Sequence, residues 1–230
     1  MRTRFGCCVA IAATALLASA APAAADDFEC NGLLTGPIPG NVIVPQGSAC
    51  MLFNAQVAGN VFAFEGSTLT AEAVEIAGNT TVRGATSASF AQSVISGSFK
   101  SFQTGHTSVD LNSTVGGDLE VVEGGGFSFM ISDVVGNLRV ERTSGMIEVG
   151  MSRVAGGAQF LDNGAGGPGA SLEVVDNIID GNLQVFRTRG LLLPKVVAGN
   201  RVGQNVQCFE NDPPFVGGPN EAQQSQGQCF

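Results

Sequence analysis

Val134-Val135-Gly136-Asn137-Leu138-Arg139-Val140 decides the fold, because the same pattern returns along the whole chain. A β-branched aliphatic stands two places before a glycine nine times: Ile38, Val57, Ile76, Ile95, Val115, Val134, Val154, Ile179 and Val197 precede Gly40, Gly59, Gly78, Gly97, Gly117, Gly136, Gly156, Gly181 and Gly199. The intervals between these glycines are 19, 19, 19, 20, 19, 20, 25 and 18 residues. A fixed short period marks a stack of equivalent units, none of which can bury its apolar face alone.

A unit of this length is too short for a helical hairpin, and 32 glycines among many Val, Ile, Phe and Thr residues favour extended chain. After each glycine the chain alternates. The second and fourth places are mostly apolar, as in Val61/Ala63, Leu119/Val121, Leu138/Val140 and Leu183/Val185, while the third carries Lys100, Glu120, Arg139, Gln159 or Gln184. One apolar side at period two is the mark of a half-buried strand. A second strand is expected seven and five places before each aliphatic, at Cys50/Leu52, Leu69/Ala71, Ala88/Phe90, Phe127/Phe129, Ile147/Val149 and Leu172/Val174. Ser108 and Asp110 break that pattern, and Val109 with Leu111 suggests a slip of one residue. Glycines at Gly47, Gly66, Gly84, Gly105, Gly125, Gly145 and Gly190 are expected to turn the corner between the strands at positive φ.

Coils of this kind, one per turn, build an all-β, single-stranded parallel β-helix, a solenoid of about eight turns of 19–20 residues. Like residues then stack in columns about 4.8 Å apart. Parallel crossovers favour a right-handed path. The residue after the marker glycine forms one such column. Asn41, Asn60, Asn79, Asn137, Asn182 and Asn200 are expected there as a structural ladder of stacked amides.

Residues 1–25 read as a secretory signal peptide: Arg2 and Arg4 precede an apolar run from Phe5 to Ala18, and Ala23-Ala24-Ala25 supplies small residues for cleavage. Residues 26–209 are then the repeat domain and 210–230 a C-terminal capping segment closed by a disulfide. Four cysteines remain. Cys30 and Cys50 are 20 residues apart and Cys208 and Cys229 are 21 apart, each close to one period, so each pair is expected to bridge adjacent coils at an end of the stack. No long apolar run follows residue 25, so no membrane span is expected. Loss of Arg2 and Arg4 leaves nine basic against twenty acidic residues, a net charge of −11. That balance argues against nucleic acid as a partner.

Chemical signals are sparse. No CxxC spacing suggests a metal site, and no motif suggests a cofactor. His106 is the one histidine, without nucleophile-base spacing around it. Asp162-Asn163-Gly164-Ala165-Gly166-Gly167-Pro168-Gly169 fills the stretched interval and reads as an inserted loop, although the repeated calcium-binding nonapeptide that would recruit Asp162 is missing. Thr68-Leu69-Thr70 occurs once, too seldom for an ice-binding array.

The V-x-G-N-[VL]-x-V repeat, the cysteine pair at each end and the closing stretch from Gly199-Asn200 through Gln207-Cys208 to Gly227-Gln228-Cys229 resemble secreted β-helix-repeat proteins of high-GC Gram-positive bacteria. The resemblance implies secretion and fold. A looser similarity to bactofilins would imply filaments, but those proteins are cytosolic and lack terminal disulfides. The expected function is a non-enzymatic, monomeric module, secreted or associated with the cell wall, that meets another macromolecule or a wall component. The alternative is a carbohydrate-active enzyme, a lyase or glycoside hydrolase, whose carboxylates would have to converge within about 5 to 9 Å in a groove.

Overall fold

The computed structural model describes residues 26–164, 170–190 and 195–229, and within them every regular element is a strand. The expected signal peptide and residues 165–169 of the inserted loop lie outside the described residues. The coils form a parallel solenoid with three faces. The first face is an eleven-stranded sheet beginning with Asp27–Glu29 and ending with Gln224–Gly227, each strand pairing in parallel with the next coil's. One inward column runs Val42, Val61, Thr80, Phe99, Leu119, Leu138, Ala158, Leu183 and Val206 in strict register, and the exposed Ser225 of the last strand pairs with Val206. Its first eight members are the second-place residues expected from the sequence.

The other two faces form one sheet, because Gly32–Ile38 and Ala49–Val57 run round the corner between them unbroken. In later coils the path divides into a longer strand such as Phe127–Met130 and a two-residue strand such as Asp133–Val134. Val134 is buried between Val115 and Val154, the register predicted for the marked aliphatics. Three inward columns meet in one continuous core. Phe90 and Phe99 pack edge to face with ring centroids 5.3 Å apart.

The stack has about ten turns rather than eight, as its eleven first-face strands require. Two coils carry no marker glycine. Asp27–Glu29 precedes the first mark, and Gln204 occupies the marker position before the strand Asn205–Phe209. Gly199 is a false member of the series. Val197 pairs with Val174 and Gly199 stacks on Asp176, so the dipeptide Gly199-Asn200 lies at the opposite corner. The true successor of Ile179 is Val202, 23 residues on. Residues 210–229 extend the stack with a final coil, since Val216–Gly217 pairs with Val196–Val197 and Gln224–Gly227 with Asn205–Cys208.

The slipped coil is also corrected. Thr107 and Val109 are its buried pair, aligned with Ala88 and Phe90, whereas Leu111 is exposed on the corner beside Asn112, both at positive φ. The extra residue of that coil is absorbed in the corner and leaves the strand in register.

Disulfides join Cys30 to Cys50 and Cys208 to Cys229, with Cα separations of 5.4 and 5.6 Å. Each closes a loop of about one coil, which stabilises by roughly 3 kcal/mol where terminal strands have a neighbour on one side only. No helix among the described residues is long and apolar enough to cross a membrane.

Candidate functional site

Polar ladders hold two of the corners, and a defect in one of them lies in a groove on the surface. Between the third and first faces, the Asn41 side-chain oxygen accepts the Asn60 backbone N–H at 2.8 Å, and Asn60 does the same for Asn79. The ladder continues through Ser98, Asp118 and Asn137 to Gly157. It resumes where Asn182 accepts from Asn205 at 3.1 Å. Asn205, and not the expected Asn200, is the next rung.

The marker glycines follow from this ladder. None from Gly40 to Gly181 adopts positive φ; a Cβ on Gly59 would instead lie 2.5 Å from Asn41 Oδ1 and 2.7 Å from the Gly40 carbonyl oxygen. Glycine and asparagine are therefore one device, in which the amide fills the space that the next glycine leaves empty. The corner between the first two faces departs from expectation in the same way. Positive φ is found at Gly47, Gly66 and Gly84, but thereafter at Gln103, Glu123, Arg142, Asp162 and Arg187. Gly105 and Gly125 are needed for close approach, since a Cβ there would lie 2.5 Å from Thr86 O and 2.2 Å from Gly105 O.

Asn200 belongs instead to a second, buried ladder between the second and third faces. There the backbone N–H groups of Ser93, Ser113 and Ser132 donate to the hydroxyls of Ser113, Ser132 and Ser152. The chain of bonds continues through Asn177 and Asn200 to Asn220. The signal was present: each ladder residue stands two places before the inward aliphatic.

A groove of about 700 Å³ follows the first corner, with Gly157 on its floor. One wall is the outward row of the first face, where Glu120 lies between Lys100 (3.7 Å) and Arg139 (3.8 Å). This is the alternating charge column visible in the sequence. Beyond it the row becomes amides: Gln159 donates to Gln184, and Gln184 to Gln207, both at 2.8 Å. The groove's carboxylates are all engaged. Asp118 accepts from both nitrogens of Asn137, and Asp180 from Arg153 at 2.8 Å. A second depression of about 550 Å³, lined by Asn60, Phe62, Asn79, Thr81, Ser98 and Lys100, continues the same channel toward the N-terminal end.

Elsewhere the chemistry is occupied or dispersed. His106 is exposed on the second face, where Ser89 and Ser108 bond to each other at 2.8 Å and Ser128 donates to Asp110 at 2.9 Å. Asp162 takes a two-point contact from Arg187, at 2.6 and 2.9 Å, which holds its carboxyl below the usual range and leaves it badly placed as a calcium ligand. Glu148 and Glu173 stack in adjacent coils, but on the second face, away from the groove. No group of three or more metal-ligating side chains occurs among the described residues.

One buried cation escaped prediction. Lys195 is 2% exposed, and its ammonium donates to the carbonyls of Thr188 (2.7 Å), Pro213 (3.1 Å) and Asp212. Burial lowers its pKa to about 8, opposed by the charge of Asp212. Its only trace in the sequence is a single basic residue inside Leu191-Leu192-Leu193-Pro194-Lys195-Val196-Val197.

These features define a disulfide-closed parallel β-solenoid with a polar groove along one face. No family model, curated protein or solved structure matches the chain.

Proposed function

We propose that the protein works outside the cell, free or against the cell wall, as a non-enzymatic rod that presents its first face to another macromolecule. The observation that carries this reading is the engagement of the groove's carboxylates: Asp118 serves the ladder, Glu120 lies between two cations and Asp180 binds Arg153. Glycoside hydrolysis needs one carboxyl free to deliver a proton and a second free to attack or to activate water. The two disulfides suit an oxidising compartment, and the net charge, −9 for the full chain and −11 without residues 1–25, favours solubility over binding to nucleic acid or anionic surfaces. The test is incubation of the purified protein with pectin, alginate, hyaluronan, xylan and peptidoglycan. No turnover is expected. Release of product at about 1 to 1,000 per second, abolished by replacing Glu120 or Asp180, would overturn the proposal.

A further inference from the structure

We infer that the channel along the first face is a binding site for a neutral, linear polysaccharide lying parallel to the solenoid axis. The inference rests on the reading of the protein as a binding module, and it names that module's ligand. Gly157 is the one rung of the corner ladder with no side chain, so the Asn182 N–H above it meets no ladder oxygen. The equivalent N–H groups of Asn60, Asn79, Ser98, Asp118, Asn137, Gly157 and Asn205 all do. Gly157 and Asn182 both line the groove, and among the described residues the Asn182 N–H has no hydrogen-bond partner, which leaves an unused donor there.

The surrounding chemistry selects the ligand. Gln159 donates to Gln184 and Gln184 to Gln207, so each of the first two amides retains one further N–H and at least one free oxygen lone pair. Such a row meets hydroxyl groups well, because each hydroxyl both donates and accepts. The charges that line the groove are already paired, and Asp118, Glu120 and Asp180 would repel an anionic glycan. An extended peptide is disfavoured because the backbone of the first face is already hydrogen-bonded from coil to coil, leaving no strand edge within the groove to pair with it. Length also matters: the groove and the smaller depression share Lys100, and Phe62 in the latter offers an apolar face to sugar C–H groups. A polymer fits such a channel better than a compact molecule.

The experiment is isothermal titration of the full disulfide-bonded chain with hexasaccharides and disaccharides of cellulose, xylan, mannan, amylose and chitin. At least one hexasaccharide should bind, about tenfold or more tighter than its disaccharide, with no turnover. Gly157→Asn supplies the missing rung; a Cβ there would lie 3.2 Å from Asn182 O, so that backbone oxygen must give by a few tenths of an ångström, and the melting temperature of the variant is measured beside its affinity. The variant should weaken hexasaccharide binding about tenfold or more. Gln184→Ala, at a solvent-facing position, is the second variant and should weaken binding several-fold. Absence of binding by every hexasaccharide, preference for a proline-rich or other extended peptide, or affinities within about twofold of the parent in both folded variants would overturn the inference. Turnover of a bound glycan would instead overturn the non-enzymatic reading and leave the groove assignment standing.

Discussion

Thr80 shows how tightly the stack constrains a single side chain. It lies in the inward column between Val61 and Phe99, fully buried, and its hydroxyl has no hydrogen-bond partner among the described residues. A buried hydroxyl without a partner costs about 1–3 kcal/mol, and valine has nearly its shape. Thr80→Val should therefore raise stability by roughly 1 kcal/mol in urea denaturation, and a loss would show that the hydroxyl has a partner in solution. Val134 is the opposite case. Placing a carboxylate between Val115 and Val154 costs several kcal/mol, so Val134→Asp should yield no folded protein. Arg139→Ala, at a side chain 45% exposed, should change stability by less than about 1 kcal/mol. Equal tolerance of the two changes would contradict the register.

The strands were readable because two periods overlap in them: alternation sets which side chains point inward, and the repeat of about nineteen residues sets which coils they meet. Corners were less readable, because different physical demands there select similar residues. Gly199-Asn200 matches the marker dipeptide letter for letter, yet its glycine answers to positive φ and its asparagine joins the buried ladder. Gly136, by contrast, answers to crowding. The groove was harder still to foresee, since it depends on an absent side chain at Gly157, and a gap in a ladder has meaning only once the ladder is known. Two glycines of one corner separate these demands. A Cβ on Gly78 would lie 2.5 Å from Asn60 Oδ1 and 2.6 Å from the Gly59 carbonyl oxygen. Gly78→Ala should accordingly cost at least about 2 kcal/mol. Gly157→Ala, with its nearest contact at 3.2 Å, should cost at least about 1 kcal/mol less than Gly78→Ala, since Asn182 O need give only a few tenths of an ångström and alanine restricts the unfolded chain. Similar melting temperatures for the two variants would refute the crowding argument.

In a solenoid each coil touches only its neighbours, so loss of structure begins at the ends unless they are held. The disulfides hold both ends. Lys195 adds a second device near the C-terminal end, joining the corner at Thr188 to the final coil at Asp212 and Pro213. Its chemistry predicts an unusual dependence on pH. With the folded pKa lowered to about 8 and the unfolded value near 10.4, the unfolded chain binds more protons between these limits. Stability should then be flat below pH 8, rise as pH climbs toward 10.4 and level off above it, by less than about 3 kcal/mol in total. Most proteins would mask this, because tyrosines and free cysteines titrate in the same window. Here the chain has no tyrosine, Lys100 is the only other lysine, and all four cysteines after residue 25 are bridged. Chemical denaturation of residues 26–230 from pH 7 to 11 should show the rise, and Lys195→Met should remove it. A stability that falls across this range in the parent, or a rise that survives the substitution, would mean that the ammonium is held more favourably in the cap than in water.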